Sequence, residues 1–132
     1  MGVAGTLSCK HCSYSQNVSL GFGFSFMHLN SILQWYEQEE GRQRIREFMS
    51  KPDTTFECFY GLYVCEECKN LLNRIFLELK SGDDVYTNRH DCPRCGTQMP
   101  TKPPTDDVES TELDCPACGE AKLEVQLYMD WD

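Results

Sequence analysis

Eight of the nine cysteines in this 132-residue chain occur as four Cys-x-x-Cys pairs. Two thiolates separated by two residues can reach one ion from a single tight turn, and two such turns complete a tetrahedron of sulfur ligands. The spacing therefore predicts two structural zinc sites, with two Zn²⁺ per chain; iron suits the same all-thiolate geometry as a substitute. The predicted metal ligands are Cys9, Cys12, Cys65, Cys68, Cys92, Cys95, Cys115 and Cys118.

The N-terminal segment bears on the redox state of these thiols. Residues 1–10 show no basic stretch followed by an apolar stretch, which is the pattern of a secretory signal peptide. We therefore expect a cytoplasmic protein, in which thiols stay reduced and metal binding is favoured over a disulfide framework. A thioredoxin-like redox function would require a Cys-x-x-Cys pair within a βαβ pattern, and no such pattern is found.

Charge restricts the classes of partner. The formal net charge is −9, which disfavours a generic nucleic-acid binder, because such proteins need clustered Lys and Arg. Residues 104–132 hold nine acidic residues against the single base Lys122. Two interpretations of this acidic end are open: a solvated acidic surface, which is favoured, and a docking face for a protein partner that is itself basic. No apolar run approaches the roughly 20 residues of a membrane span, so no membrane association is expected.

The last two cysteine pairs carry a family resemblance. Cys92-Pro-Arg-Cys-Gly96 and Cys115-Pro-Ala-Cys-Gly119 stand 19 residues apart, within the spacing window of zinc sites. Here the chain resembles the zinc-ribbon superfamily with rubredoxin-like knuckles, most clearly over residues 92–131. The resemblance implies that these four cysteines are ligands held by hairpins. The first two pairs lack both the Pro and the following Gly, and a 52-residue insertion separates them.

Three ways of sharing the ions between the pairs are open. Sequential sharing, first pair with second and third with fourth, is favoured. A cross-braced arrangement, first with third and second with fourth, resembles a RING domain but lacks its usual histidine ligand. In the third arrangement, the two middle pairs form one site and the joined termini form the other. With eight paired cysteines available, neither His11 nor His90 is needed as a ligand.

Hydrophobic periodicity predicts the elements that position these pairs. Alternating Phe and Gly or Ser residues predict a strand over 20–26. Ser31 and Gln34 fit a capping box, and apolar residues follow at helical spacing. Together they predict two short helices over 31–40 and 42–50, interrupted at Gly41.

Strand patterns dominate the remainder of the chain. Residues 55–65 are rich in β-forming types, and for 69–80 a strand is favoured over a helix. Residues 81–84, Ser-Gly-Asp-Asp, form a good hairpin turn. Strict alternation over 123–131 predicts a terminal strand with one buried face. The unpaired Cys58 is expected to be a small buried hydrophobe.

These features predict a small β-rich α+β metal-bound fold. It would have two four-cysteine zinc-ribbon-like modules, residues 1–90 with a two-helix insertion at about 31–50, and residues 91–132 as the C-terminal ribbon. No protease, esterase or P-loop motif is present, so we expect a non-enzymatic protein-interaction or regulatory module. The alternative is a nucleic-acid-associated regulator that uses Arg42, Arg44 and Arg46, an activity found in many zinc ribbons.

Overall fold

The fold is built on one six-stranded antiparallel sheet, seen in a computed structural model that describes residues 2–103 and 112–131. The strands are β1 (Gly2–Ser8), β2 (Ser15–Gly21), β3 (Thr55–Val64), β4 (Leu71–Ser81), β5 (Asp84–Thr87) and β6 (Glu124–Trp131). The helices are α1 (Leu29–Trp35) and α2 (Glu39–Met49). In spatial order the strands run β5-β4-β3-β2-β1-β6. A 3₁₀ turn at Phe24–Phe26 and the two α-helices connect β2 to β3.

The strand predictions are confirmed over most of the chain. The β-rich segment 55–65 is β3, and the segment 69–80 forms a strand, β4, rather than a helix. The hairpin turn lies between Ser81 and Asp84, where Gly82 adopts a φ of +58° that L side chains rarely tolerate. The sheet joins strands from both sides of residue 90, and the domain boundary placed there stays a prediction.

The strand expected over 20–26 is wrong beyond its first two residues. β2 ends at Gly21, whose φ of +95° turns the chain out of the sheet. The following aromatic residues therefore lose the alternation of a strand: Phe26 is buried, whereas Phe24 is 76% exposed.

The two predicted helices exist, but their boundary lies elsewhere. The break falls at Tyr36–Gln38, and Gly41 lies inside α2. A Cβ at Gly41 would stand 2.3 Å from Cε2 of Tyr36, so this glycine serves close packing rather than helix termination. The capping box is also wrong. His28 is the N-cap of α1 without a side-chain hydrogen bond, and Ser31 lies within the helix.

The first and last strands of the chain pair with each other. β6 lies antiparallel to β1, from Gly2 opposite Trp131 to Ser8 opposite Glu124. A bulge between Ala4 and Gly5 leaves Tyr128 without a partner, and this extra residue breaks the period-two alternation. The terminal strand is thus confirmed, but its single buried face is not, since Met129 is 54% exposed.

The helices pack on one end of the sheet. Ile32, Ile45 and Phe48 are fully buried against Leu77 and Leu79 of β4. Cys58 is buried in the same cluster, as predicted, and burial raises the pKa of its thiol to about 12. This thiol is therefore neutral at physiological pH and packs as an apolar side chain. A second cluster surrounds Leu7, Leu20, Leu62 and Leu123 at the other end of the sheet.

A buried asparagine completes the edge of β4 where β5 does not reach. β5 pairs only with Glu78–Ser81, and Asn88 is 1% exposed next to the uncovered part of the strand. The backbone N–H of Leu77 donates to its Oδ1 (3.0 Å), and its Nδ2 donates to the carbonyl of Ile75 (2.9 Å) and to the hydroxyl of Tyr36 (2.8 Å). One side chain therefore joins α1 to the sheet.

We expect Asn88→Ala to lower the free energy of unfolding by roughly 1–3 kcal/mol, because it leaves the buried N–H of Leu77 without a partner. The Ile75 carbonyl and the Tyr36 hydroxyl each lose one bond but keep another, to His90 and Gln38 respectively. The measurement is urea unfolding of metal-loaded protein. Asn17→Ala is the matched control, since Asn17 is exposed and accepts a bond only from the Thr6 hydroxyl within the described chain. Equal effects of the two substitutions would contradict the assigned role of Asn88.

Candidate metal centres

Each Cys-x-x-Cys pair lies at the tip of an antiparallel hairpin. The first pair follows the end of β1 and the second follows the end of β3. The third and fourth lie between the isolated bridges Asp91–Gln98 and Asp114–Lys122. The hairpins that the resemblance implied for the last two pairs are therefore present, and the first two pairs have the same setting. Each tip delivers two thiols in one direction, and a second tip is needed to complete a site.

The first and fourth tips meet and form a group that we call the terminal tetrad: Cys9, Cys12, Cys115 and Cys118. The Sγ atoms of Cys9 and Cys118 are 3.7 Å apart, and those of Cys12 and Cys115 are 3.6 Å apart. Pairing of β1 with β6 brings these tips together, because it places both ends of the chain side by side. Cys115 is buried and lies in the same cluster as Leu7 and Leu123.

The second and third tips form the central tetrad: Cys65, Cys68, Cys92 and Cys95. The Sγ atoms of Cys65 and Cys95 are 3.6 Å apart, as are those of Cys68 and Cys92. Cys65 and Cys92 are buried beside Tyr63, Leu72 and Met99, whereas Cys95 is exposed.

The sulfur spacing fits four ligands around one ion. A regular tetrahedron with metal–sulfur bonds of about 2.3 Å has edges of about 3.8 Å. The observed edges of 3.6–3.7 Å agree with this value. They are far longer than the roughly 2.05 Å of a disulfide. Both tetrads are thus positioned to hold a metal ion, and all eight predicted cysteines take part.

The favoured sequential sharing is wrong, and so is the cross-braced alternative. The tetrads combine the first pair with the fourth and the second with the third, which is the arrangement with joined termini. Strand order is the physical reason. Because β6 pairs with β1, the fourth tip lies beside the first tip, although the third tip is much closer to the fourth in sequence. Consequently the central tetrad is nested in sequence within the terminal tetrad, and the helical insertion lies between the first pair of the terminal tetrad and the first pair of the central one.

Backbone N–H groups favour the thiolate form at Cys92 of the central tetrad and at Cys115 of the terminal tetrad. Burial alone would raise the pKa of Cys92, but donation from the backbone of Cys95 and Arg94 lowers it to about 6. At Cys115, burial is likewise outweighed by the backbone of Cys118 and Ala117, and the pKa falls to about 6. A lowered thiol pKa at these two cysteines favours metal binding, because the thiolate is the form that binds a metal.

Three of the tips share a left-handed residue after their second cysteine. The φ angle is +79° at Gly96, +69° at Gly119 and +65° at Lys69. The N–H of each then donates to the carbonyl of the first cysteine in its tip, over 2.8–3.0 Å. The second tip therefore adopts the glycine-type turn despite its lysine, a conformation that costs about 1–2 kcal/mol for an L residue.

Arg94 is a residue of the metal centres that the sequence analysis missed. It lies between the two cysteines of the third tip, and its guanidinium donates to the carbonyl of Pro116 in the fourth tip (2.6 Å). It also donates to the carbonyl of Cys68 in the second tip. One side chain thus links the central tetrad to the terminal tetrad. Nothing in the local spacing could have revealed this, because the link spans residues far apart in sequence.

The two histidines considered near the pairs are not brought into the tetrads. His11 is exposed, and its ring lies 3.5 Å from a carboxylate oxygen of Glu120. The Nε2 of His90 bonds to the carbonyl of Ile75 at 2.9 Å. Asn70, by contrast, is an unforeseen neighbour, since its Nδ2 donates to Sγ of Cys92 (3.7 Å).

Comparison with protein-family models, with curated proteins and with solved structures finds no match to this chain. The likeness to zinc ribbons therefore rests on the two tetrads themselves, each made of two Cys-x-x-Cys tips. Both sites are zinc-ribbon-like at this level of description.

Paired substitutions test the sharing of ions directly. We expect Cys9→Ser combined with Cys118→Ser to leave about one ion per chain, because both residues belong to the terminal tetrad. Cys9→Ser combined with Cys65→Ser should leave none, since each tetrad then loses a ligand. The measurement is the metal-to-protein ratio, supported by the thiolate absorption of cobalt-loaded protein. Sequential sharing would give the opposite result.

We expect Arg94→Ala to weaken metal retention by about 10–100-fold in a chelator competition, the usual effect of losing a group that orients a ligand. Arg94→Lys should recover only part of the loss, because an ammonium group lacks the forked geometry that reaches two carbonyls. Lys10→Ala is the control. Lys10 occupies the first tip but pairs only with Glu124 in the part of the chain that the structure describes. Unchanged retention in Arg94→Ala would disprove the link.

Proposed function

We propose that this chain is a non-enzymatic zinc protein in which two structural ions hold the fold, and that it serves as a protein-interaction or regulatory module. The observation that carries the proposal is the pair of four-sulfur groups with tetrahedral edges. Zinc is the ion that suits such sites best, and iron is the substitute. The eight cysteines of the terminal and central tetrads are the proposed ligands.

The donor sets support a structural rather than a catalytic role. Catalytic zinc keeps a position open for water or substrate, whereas structural zinc is enclosed by four protein ligands. Each tetrad supplies four thiols and so completes the coordination shell. An enzyme or redox protein is the competing class. A thiol-reactivity assay on metal-loaded protein distinguishes the two, because a reactive cysteine outside the tetrads would support catalysis.

A basic protein is the partner we propose. Four thiolates and one Zn²⁺ sum to about −2 per site, so two sites would take the formal charge from −9 to about −13. Exposed apolar side chains add a contact surface: Phe22, Phe24 and Met27 are 47%, 76% and 53% exposed. Acidic surface together with exposed aromatic residues favours association with a protein of opposite charge.

Nucleic acid is disfavoured as the partner. The cluster that would serve it is neutralised locally, since Arg42 and Arg46 lie within 4 Å of Glu39. Arg44 and Lys51 both contact Asp84, and hydrogen bonding with Lys51, aided by Arg44, lowers the pKa of that carboxyl. These bases therefore form ion pairs rather than a free phosphate-binding patch.

Membrane association is not part of the proposal, and among the described residues no helix has the length and apolar character needed to span a bilayer. We place the protein in the cytoplasm, where a reducing environment would keep eight thiols available for metal.

Metal analysis and metal removal test the proposal. We expect about two zinc ions per chain in freshly purified protein, and loss of cooperative folding after chelation. The reason is that structural zinc contributes on the order of 10–16 kcal/mol, comparable with a net stability of about 5–15 kcal/mol. The measurements are elemental analysis, and circular dichroism with thermal melting before and after stripping. Absent metal, or unchanged melting after verified stripping, would refute it.

The partner class has its own test. Capture from native extract at low and high salt should show a protein that is retained at low salt and released at high salt, since exposed charges are screened. A competing polycation should displace it, whereas double-stranded DNA should not bind at low salt. Retention of DNA at low salt would favour the nucleic-acid regulator instead.

A further inference from the structure

An aromatic cavity lies away from both tetrads, between α1, the middle of β3 and β4, and the end of β6. Its volume is about 830 Å³, within the range of small-molecule sites. Five aromatic side chains contribute to its lining: Phe26, Trp35, Tyr36, Tyr60 and Trp131. Trp35 and Trp131 are the only tryptophans in the chain.

The aromatic walls are ordered by their own contacts. The Phe26 ring centroid lies 4.9 Å from that of Trp35 and 5.7 Å from that of Trp131, and Tyr60 meets Trp131 edge-on at 5.8 Å. The indole N–H groups donate to the carbonyls of Ser25 and Val3, each over 3.0 Å. With these donors occupied, the indoles can offer a ligand only their π surfaces.

Two charged side chains join this lining. Glu37 and Arg74 both line the cavity and are exposed, and neither has an oppositely charged partner within 4 Å in residues 2–103 and 112–131. His90 lines it as well, and its Nε2 bonds to the carbonyl of Ile75. Glu37 and Arg74 therefore give the cavity one negative and one positive side chain.

We propose that this cavity binds a small zwitterion whose cationic end is a quaternary ammonium group and whose anionic end is a carboxylate or a phosphate. Aromatic faces attract quaternary ammonium ions through their negative π clouds, and a carboxylate such as Glu37 adds to that attraction. The guanidinium of Arg74 suits a carboxylate or phosphate, which it binds through paired N–H groups.

Other ligand classes fit less well. A simple anion would meet a chain of net charge −9 and would leave Glu37 without a partner. A simple cation would leave Arg74 without an anionic partner. A neutral hydrocarbon would contact the aromatic rings but would leave both Glu37 and Arg74 without a partner. Free zwitterions such as glycine betaine and the phosphocholine headgroup of a lipid share the required chemistry, and the experiment separates these two sources.

Intrinsic fluorescence tests the proposal, because both tryptophans line the cavity and their emission reports on it. The probes are glycine betaine, choline and 3,3-dimethylbutanoate. Choline lacks the anionic group of glycine betaine, and 3,3-dimethylbutanoate lacks its cationic group. We expect a saturable change with glycine betaine, and affinities about tenfold weaker for each of the other two. No saturable change, or equal affinity for all three probes, would overturn the proposal.

Charge-neutral variants assign the two ends of the ligand. Glu37→Gln should weaken glycine betaine and choline about tenfold, and leave 3,3-dimethylbutanoate unchanged. Arg74→Gln should weaken glycine betaine and 3,3-dimethylbutanoate, and leave choline unchanged. Glu40→Gln is the matched control, since Glu40 is exposed and does not line this cavity. Circular dichroism and metal content verify that each variant is folded; an unaltered affinity in Glu37→Gln would contradict the assignment.

Phosphocholine and phosphatidylcholine vesicles identify the source. Binding of soluble phosphocholine and glycine betaine without vesicle sedimentation supports a free metabolite as the ligand. Co-sedimentation that glycine betaine reverses supports a lipid headgroup in the same cavity. Vesicle binding that glycine betaine does not reverse, with no fluorescence change, would overturn the proposal. Metal content is measured separately, so failure here leaves the proposed zinc function intact.

Discussion

Antiparallel pairing between the first and last strands is the constraint on which both sites depend. It places the tip after β1 beside the fourth tip and so assembles the terminal tetrad. At its other end it places Trp131 against Phe26 and Tyr60, and so completes the aromatic lining of the cavity. Joining residues so distant in sequence costs loop-closure entropy, which a coordinated ion across the same junction would offset. The glycines of β1 permit the close approach, since a Cβ at Gly2 would stand 2.2 Å from the Trp131 ring.

The two tetrads connect different parts of the chain. The central tetrad joins the β3–β4 tip to a neighbouring hairpin, whereas the terminal tetrad joins the two ends of the chain. Arg94 spans them, and its positive charge lies where two thiolate-rich groups would otherwise repel each other. The helices contribute at the opposite end of the sheet, where Asn88 supplies the hydrogen bonds that a longer β5 would have made. The metal coordination that we propose and the apolar packing thus act on different regions of one sheet.

The cavity and the tetrads use different chemistry and share no lining residue among those described. The tetrads are fully supplied with thiols, which leaves them no position for a ligand. The cavity offers π faces and two charges that have no oppositely charged partner within the described ranges, and no cysteine is among its described lining residues. This separation is what the proposed division of roles requires, with ions that maintain the fold and an aromatic surface that recognises a partner or ligand.

Local sequence determined the features whose causes are local. Cys-x-x-Cys spacing identified all eight tetrad residues, because two thiols within one tight turn need no distant partner to point together. β-forming residue types located β3, and period-two patterns located β4 and β6, for the same reason. Local sequence could not determine which tips share an ion, since any two tips can complete a tetrahedron and only strand order decides between them. The tertiary structure likewise decided the bulge at Tyr128, the packing role of Gly41 and the reach of Arg94. The bulge and the reach of Arg94 depend on neighbours that are remote in sequence, and the role of Gly41 depends on how the end of α1 packs against α2. Hydrophobic periodicity records neither.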